Sequence, residues 1–197
     1  PGGRIVRSDT LYESDPLPRP YVLKPVNEGS SVGVAIVTDE SACGNPIRRD
    51  AVGPWQEFPE LLAEPFIRGK ELTVAVIGDR ALCVTELKPK SGFYDFAAKY
   101  TDGMTEHVCP AEIPDDIADA CMDFALRAHR ILGCGGTSRS DFRWDDTLGV
   151  EGIFLLETNT QPGMTPLSLV PEQARYCGMD YADLVEAIIA DALKGKP

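Results

Sequence analysis

The sequence lacks the features that mark membrane, secreted and nucleic-acid-binding proteins. No apolar run reaches roughly 18 residues, the length that a membrane-spanning helix needs, and we expect no secretory leader. Lys and Arg are not clustered and the net charge is −12, which argues against a nucleic-acid surface. Six cysteines are present without a C-x-x-C pair, so neither a zinc site nor a redox motif is indicated. We therefore expect free thiols, a cytoplasmic location, and neither a membrane nor a nucleic-acid partner.

The chain also lacks an initiator methionine. It starts with PGGRIVRSD, which is typical of the middle of a larger protein, so we expect a fragment. Its 197 residues allow one large domain or two small lobes, at roughly 150 residues per domain. Hydrophobic residues make up 43% of the sequence, which is enough for a core.

Short apolar runs predict β-hairpins. The first runs from a strand at 21–24, through a small-residue turn, to a return strand at 32–38. Prolines limit residues 39–60 to a short helix at most. Further strands are predicted at 60–67, on either side of Gly78-Asp79 within 69–89, and at 137–144 and 152–159.

Amphipathic periodicity predicts helices at 113–133, 168–178 and 180–195, the last with Asp180 as its N-cap. The first is expected to bury Ile117, Cys121, Phe124, Ala128, Ile131 and Leu132. The last is expected to bury Tyr181, Leu184, Val185, Ile188, Ile189 and Ala192. Hairpins followed by helices that pack on them indicate an α+β fold.

Polar residues end the last predicted strand, after the apolar run Phe154, Leu155 and Leu156. Glu157 and Asn159 are two residues apart and therefore point to one face of that strand. If the preceding strand pairs with it, Arg139 and Asp141 share this face, and the oxygen ligands suit a hard divalent cation. Three apolar residues flank these positions: Phe142, Leu155 and Leu156. They disfavour the alternative, an exposed face with ordinary charges.

A second polar feature follows the first strand. Lys24 ends that strand, and the turn after it contains Gly29, Ser30, Ser31 and Gly33. Backbone N–H groups and hydroxyls in such a turn can hold phosphates, although the P-loop pattern is absent. A serine-rich hairpin turn without a ligand is the alternative.

The combined order of motifs is more specific than any one of them. KPVNEGSSVG at 24–33, EPFIRGKE at 64–71, SRSDF and then ETNTQPGMT resemble the ATP-grasp enzymes, and more narrowly the D-alanine–D-alanine ligase family. The loop GFYDFAAKY and the tail PLSLVPEQARYCGMDYADLV fit that family better than other ATP-grasp enzymes. The resemblance covers essentially the whole chain and is weakest at 39–60. It implies an ATP-grasp fold, with 1–65 as part of the central lobe and 66–197 as the C-terminal lobe, an antiparallel sheet flanked by helices.

The resemblance also implies a set of nucleotide-binding residues. Lys24, Ser31 and Lys99 would bind the phosphates of ATP, and Glu71 the ribose hydroxyls. Adenine would be bound at the junction of the two lobes by the following residues: Glu64, the backbone of Phe66 and Ile67, and Phe93 as a cover. The aromatic segment 91–103 would close as a lid over the site.

The remaining implied roles concern the reaction, in which ATP activates one D-alanine as an acyl phosphate that a second D-alanine attacks. Asp141, Glu157 and Asn159 would hold two Mg2+ or Mn2+ ions, with Glu157 bridging them. Arg139 and the Gly163 N–H would stabilise the oxyanion. Ser168 and Leu169 would bind the carboxylate of the second D-alanine. Ser30 and Tyr100 would belong to a hydrogen-bonded group that orients the lid and the amino acids. The product, D-alanyl-D-alanine, is a peptidoglycan precursor.

Several alternatives stay open. A related ligase could join D-alanine to D-serine or D-lactate, although a Tyr at position 100 favours a dipeptide product over the D-lactate ester. A nucleotide-binding module without ligase activity and a purely structural fragment are the others. His107 and His129 match no motif. The family carries an N-terminal domain that this sequence does not include, so we expect the chain alone to be inactive with partial nucleotide affinity, and the full-length protein to be a homodimer.

Overall fold

The structure is a computed structural model that describes residues 1–29, 31–89 and 105–194. The described residues form two compact units, one ending at Ile67 and the other starting at Arg68. The assignment of 1–65 and 66–197 to two lobes of an ATP-grasp enzyme stays a prediction.

The first unit is built on a four-stranded antiparallel sheet in the order β1-β4-β2-β3. Its strands are β1 (Arg4–Arg7), β2 (Tyr21–Pro25), β3 (Ala35–Val37) and β4 (Glu60–Pro65), with 3-10 turns at Ser8–Tyr12 and Pro54–Gln56. The predicted hairpin is confirmed, but its return strand is shorter than 32–38 and β1 was not predicted. Alternation places Tyr21 and Leu23 in the core and Lys24 on the opposite face of β2.

The second unit contains a five-stranded antiparallel sheet in the order β7-β6-β5-β8-β9. Its strands are β5 (Lys70–Ile77), β6 (Arg80–Pro89), β7 (Thr105–Val108), β8 (Thr137–Trp144) and β9 (Ile153–Asn159), with a 3-10 segment at Asp146–Gly152. The turn between β5 and β6 contains Gly78 at a φ of 54°, a conformation that a glycine adopts without steric cost. The strongest predicted hairpin is thus confirmed.

Helices cover both faces of this sheet: α1 (Asp115–Ile131), α2 (Leu169–Tyr176) and α3 (Tyr181–Leu193). One core cluster joins α1 to residues such as Val74 and Phe142. Another joins Ala75 to α2 and α3. Val74 and Ala75 belong to different clusters because neighbouring residues of a strand point to opposite faces of the sheet. The expected α+β fold, an antiparallel sheet flanked by helices, is confirmed.

The predicted inner faces of the helices were partly wrong. The buried residues of α1 are Ile117, Cys121, Ala125 and His129, whereas Ile131 is 80% exposed and Leu132 60% exposed. The four buried residues are spaced four apart. The helix therefore contacts the sheet along a single i+4 ridge, which is narrower than the apolar stripe that the sequence predicted. In α3, Leu184 is buried, but Tyr181 and Ile189 are more than half exposed. The predicted cap is confirmed, since Asp180 and Asp183 form a capping box.

The strand β9 is less buried than its apolar run Phe154, Leu155 and Leu156 would suggest. It lies at the edge of the sheet, and Leu155 is 38% exposed. An edge strand has one neighbour only, so an apolar run there need not be buried on both faces. None of the helices in the described ranges is long and apolar enough to cross a membrane. All six cysteines are free thiols, as expected.

Candidate active site

The four polar residues at the ends of β8 and β9 face one another across the two strands. The register pairs Arg139 with Asn159 and Asp141 with Glu157. The next pair is Phe142 with Leu155, so Leu156 is an extra residue that forms a β-bulge. The bulge decides which residue pairs with Asp141. Without it, Leu156 rather than Glu157 would be the partner of Asp141. The predicted pairing of the two strands, and the shared face, are confirmed.

Asp141 is the most buried member of this group, at 6% exposure. Both of its oxygens accept hydrogen bonds from Arg139: Nε donates to Oδ1 and a terminal guanidinium nitrogen to Oδ2, each at 2.8 Å. The hydroxyl of the fully buried Thr73 donates to Oδ1 at 2.6 Å. A buried carboxylate needs such partners, and the Arg139 pair also fixes the direction in which the carboxylate points.

The other two predicted metal ligands are more accessible. Glu157 is exposed, while Asn159 is half-buried and accepts a hydrogen bond from the Gln161 N–H at 2.9 Å. Two carboxylates and an amide oxygen on one face are the donor types that Mg2+ prefers. Within the described ranges, no group of three or more His, Cys, Asp or Glu side chains is placed to hold a metal ion. A metal site on this face would therefore need oxygen ligands besides the two carboxylates, and Asn159 is positioned to supply one.

Gly163 and Ser168, which carry two different predicted roles, lie in direct proximity. A Cβ atom at Gly163 would be 2.8 Å from Ser168 Oγ, which is closer than real contacts allow. Ser168 closes a turn: its Oγ accepts from the Thr165 N–H at 3.0 Å and its N–H donates to Thr165 O at 2.9 Å. Leu169 follows as the first residue of α2 and is buried. The predicted oxyanion donor thus lies beside the predicted carboxylate-binding turn.

Gln173 was missed by the sequence analysis. It is fully buried on α2, where its Oε1 accepts from Ala75 N at 2.8 Å and its Nε2 donates to Thr73 O at 3.1 Å. The register between β5 and β6 shifts at this point, between Val74 and Val76, so the Gln173 amide serves backbone groups at the irregularity. A polar residue on the inner face of an apolar helix was the available indication.

Gln173 therefore connects α2 to the residue that supports the predicted metal ligand. Its backbone partner Thr73 is the residue whose hydroxyl donates to Asp141. The same amide nitrogen also donates to Thr85 Oγ1 on β6 at 3.1 Å. The helix α2 is thereby tied to β5 and β6, and through Thr73 of β5 to Asp141 on the neighbouring strand β8.

The first unit contains five of the predicted nucleotide-binding residues: Lys24, Ser31, Glu64, Phe66 and Ile67. Lys24 Nζ lies 2.6 Å from Glu64 Oε2, so the structure pairs the predicted phosphate ligand with the predicted adenine ligand. The Phe66 N–H donates to Pro20 O at 3.2 Å. Ser31, in the turn, has a φ of 60°, which is rare outside glycine and stores strain.

The remaining predicted residues divide into two groups. Glu71, expected at the ribose, pairs with Arg143 across β5 and β8 at 3.5 Å. Some predicted positions lie outside the described residues: Ser30, Phe93, Lys99 and Tyr100, with the whole of the expected lid 91–103. Their roles stay predictions.

The two histidines without an assigned motif have clear structural partners. His107 Nδ1 lies 3.2 Å from Glu172 on α2. His129 is buried on α1, with its Nδ1 2.8 Å from Ser138 Oγ. Both therefore join a helix to the sheet.

Comparison with known proteins shows the family to which the chain belongs. The family model described as "D-ala D-ala ligase C-terminus" matches residues 10–190. The chain belongs to this family. The D-alanine–D-alanine ligase of Novosphingobium aromaticivorans is 78% identical over 194 residues, which cover 98% of this chain and 62% of the relative. That of Gluconobacter oxydans is 52% identical and is matched over 62% of its length. The chain thus spans about three fifths of the curated relatives it matches.

Solved structures of family members share the fold. A crystal structure of D-alanine–D-alanine ligase from Bacillus anthracis is 27% identical with a TM-score of 0.73, and the match covers 98% of this chain and 62% of that one. VanG D-Ala:D-Ser ligase from Enterococcus faecalis is 26% identical with a TM-score of 0.74, over 96% of this chain and 56% of that one. The ATP-grasp fold expected from the resemblance is confirmed.

Proposed function

We propose that this chain is the nucleotide- and metal-binding part of an ATP-dependent ligase that joins two D-alanines for peptidoglycan synthesis. The observation that carries the proposal is the register of β8 and β9, which aligns Arg139 with Asn159 and Asp141 with Glu157 on one face. Membership in the D-alanine–D-alanine ligase C-terminal family supports the same conclusion.

The nucleotide-binding roles are proposed residue by residue. Lys24 would neutralise the phosphates, with Ser31 in the adjacent turn. In the structure Lys24 is paired with Glu64 at 2.6 Å. When ATP binds, Glu64 would lose this contact and accept a hydrogen bond from the adenine amino group instead. Glu71 would accept from the ribose hydroxyls. The remaining nucleotide contacts are proposed for the Phe66 and Ile67 backbone, Phe93 and Lys99.

The residues of the second unit would perform the chemistry. Asp141, Glu157 and Asn159 would hold two Mg2+ ions, with Glu157 as a ligand of both. These ions would offset the negative charge on the phosphates that react. The Arg139 guanidinium, oriented by its two bonds to Asp141, would hold the oxyanion that forms when the amine of the second D-alanine attacks.

The turn between β9 and α2 would position that second D-alanine. The Gly163 N–H would donate to the oxyanion, and the Ser168 hydroxyl with the start of α2 at Leu169 would bind the carboxylate. Since Gly163 and Ser168 are in close proximity, the two contacts would act on one bound molecule. Ser30 and Tyr100 would complete the orientation of the amino acids and of the lid 91–103, which keeps water from the acyl phosphate.

The test is D-alanine-dependent ADP release with ATP and Mg2+. It would be measured for this chain and for a protein with the missing N-terminal part restored from a relative such as the N. aromaticivorans ligase. We expect release by the restored protein only, because the chain spans 62% of that relative. ATP binding without D-alanine-dependent release by the restored protein would favour the non-catalytic nucleotide-binding module. Normal turnover by the present chain alone would show that its active site is complete.

A D-Ala:D-Ser ligase is the second candidate, because the VanG structure matches this chain as well as a D-alanine–D-alanine ligase does. Competition between D-alanine and D-serine for the second position would separate the two. We propose D-alanine, and Tyr100 argues against D-lactate. We further propose that the restored protein is a cytoplasmic homodimer that accepts Mn2+ in place of Mg2+. Light scattering and metal substitution would test these two points.

A further inference from the structure

Two thiols of the second unit lie side by side. The Sγ atoms of Cys83 and Cys109 are 3.7 Å apart, although 26 residues separate them in the sequence. Cys83 lies on β6 and is 8% exposed, while Cys109 follows β7 and is half-buried. One thiol is thus sheltered and the other reachable from solvent.

Backbone pairing on both sides holds the two sulfurs together. Val108, directly before Cys109, pairs with Glu86 of β6. Two residues after Cys109, the Ala111 N–H donates to Val84 O at 2.7 Å. Cys109 therefore lies between two attachment points on the strand that carries Cys83. A disulfide needs an S–S distance of about 2.05 Å, so the sulfurs must approach by less than about 2 Å, which small side-chain rotations can provide.

The surroundings make the two thiols chemically unequal. The hydrogen bond between the two thiols lowers the pKa of Cys109 to about 7; burial opposes this, and a bond to Thr85 supports it. Of the nearby charged groups, His107 lowers and Glu172 raises the pKa of Cys109. The pKa of Cys83 is raised, first by its bond to Cys109 and then by burial, with a smaller effect from Cys177. An accessible thiolate beside a protonated thiol is the usual arrangement of redox-sensing cysteines.

We propose that Cys83 and Cys109 form a peroxide-sensitive pair that closes into a reversible disulfide. The Cys109 thiolate attacks one oxygen of hydrogen peroxide, the O–O bond breaks, and Cys109 sulfenic acid and hydroxide form. Cys83 then attacks the sulfenic sulfur, the S–O bond breaks, and the oxygen leaves as water. Two thiols are oxidised and one peroxide is reduced to two waters.

The other thiols provide internal comparisons. Cys121 is fully buried on α1, and burial raises its pKa to about 12, so it should not react. Cys134 is half-buried like Cys109; its backbone N–H donates to His129 O, but within the described ranges its thiol takes part in no hydrogen bond. Cys177, at the end of α2, interacts with Cys83 and is the competing partner that the test must separate.

The experiment treats the reduced 197-residue chain with one to five equivalents of hydrogen peroxide at pH 7. Remaining thiols are blocked, and peptides are mapped by mass spectrometry without reduction. We expect a Cys83–Cys109 link in most chains, with Cys121 and Cys134 still blocked as thiols, and full reversal by dithiothreitol. No link, or a predominant link to Cys177, would overturn the proposal. Because the readout is a covalent bond, it does not depend on ligase activity.

Two variants separate the steps. In Cys83→Ser, the sulfenic acid at Cys109 should persist and be trapped by dimedone. In Cys109→Ser, oxidation of Cys83 should fall at least tenfold. Cys177→Ser is the matched control and should leave the yield of the disulfide unchanged. If Cys83→Ser does not fold, alkylation of the native chain by iodoacetamide decides: the rate at Cys109 should rise with a midpoint near pH 7 and exceed that at Cys134, and equal rates would contradict the proposal.

Discussion

Arg139 and Asp141, two residues apart on β8, form an ion pair in which each carboxylate oxygen accepts one guanidinium N–H at 2.8 Å. The side chains are 15% and 8% exposed, so water weakens the pair little. The same carboxylate is a proposed metal ligand, and the same guanidinium is the proposed oxyanion donor. A metal ion at Asp141 must therefore share the carboxylate with Arg139. The metal site and the position of the Arg139 guanidinium are linked for that reason.

This competition predicts opposite effects of one substitution. Arg139→Met should tighten Mn2+ binding to this chain about tenfold, since the buried carboxylate loses its counter-charge. In the restored protein it should lower D-alanine-dependent ADP release by about 100-fold or more, because an oxyanion donor is lost. Calorimetric titration with Mn2+ and the ADP assay measure the two effects. Arg143→Met is the matched control, because Arg143 pairs with Glu71 instead and its loss should leave Mn2+ affinity unchanged. Unchanged or weaker Mn2+ binding in Arg139→Met would argue against a metal at Asp141.

The pair of Lys24 and Glu64 predicts a separation between phosphate and adenine recognition. Lys24→Met should weaken ATP and ADP binding about tenfold, a loss of about 1.4 kcal/mol, while adenosine binding changes by less than about twofold. Glu64→Gln should weaken all three ligands to a similar extent, because each contains adenine. Calorimetric or fluorescence titration of the restored protein checks this.

Lys70→Met is the control for that pair. Lys70 forms a comparable ion pair with Glu86 at 2.8 Å, so its loss should reduce stability without changing nucleotide affinity. If adenosine affinity falls as much as ATP affinity in Lys24→Met, then Lys24 supports the structure and does not bind phosphate.

The sequence was sufficient for the strands that carry the active-site candidates. Apolar runs and turn residues identified β5, β6, β8 and β9, and the spacing of Glu157 and Asn159 indicated a common face with Asp141. The bulge at Leu156 could not be predicted, because register depends on packing between strands and not on local propensity. The prediction of one shared face nevertheless held, since the bulge precedes the polar pair.

Helix faces and buried polar contacts were less predictable. Ile131 and Leu132 were assigned to the core of α1 by hydrophobicity, whereas the residue buried near the end of that helix is His129. Its partner Ser138 is on another element, and local periodicity carries no information about such a pair. Gln173 is a similar case, because its role depends on the irregularity between β5 and β6.

Gln173 predicts a large stability effect without any contact to substrate. Gln173→Leu keeps the volume but leaves Ala75 N and Thr73 O without the side-chain amide that now binds them. We expect a loss of about 2–4 kcal/mol in the free energy of unfolding. Urea unfolding followed by the fluorescence of Trp144, in a Trp55→Phe background, reports on the second unit. Gln56→Leu, at an exposed position of the first unit, should change this value by less than about 0.5 kcal/mol. Similar effects of the two substitutions would mean that the Gln173 hydrogen bonds contribute little.

The proximity of Gly163 and Ser168 predicts that their substitutions are not additive. Gly163→Ala adds a Cβ 2.8 Å from Ser168 Oγ, and that oxygen is fixed by its bond from Thr165 N. We expect a loss of about 1–2 kcal/mol in the free energy of unfolding, and less than about 0.5 kcal/mol in a Ser168→Ala background, where the nearest atom is removed. Gly29→Ala is the control, because no atom lies within 4 Å of the added Cβ. Urea unfolding of the single and double variants gives the coupling energy. Additive losses would show that the turn relaxes around the new methyl group, in which case Gly163 and Ser168 are not held tightly enough to position one substrate together.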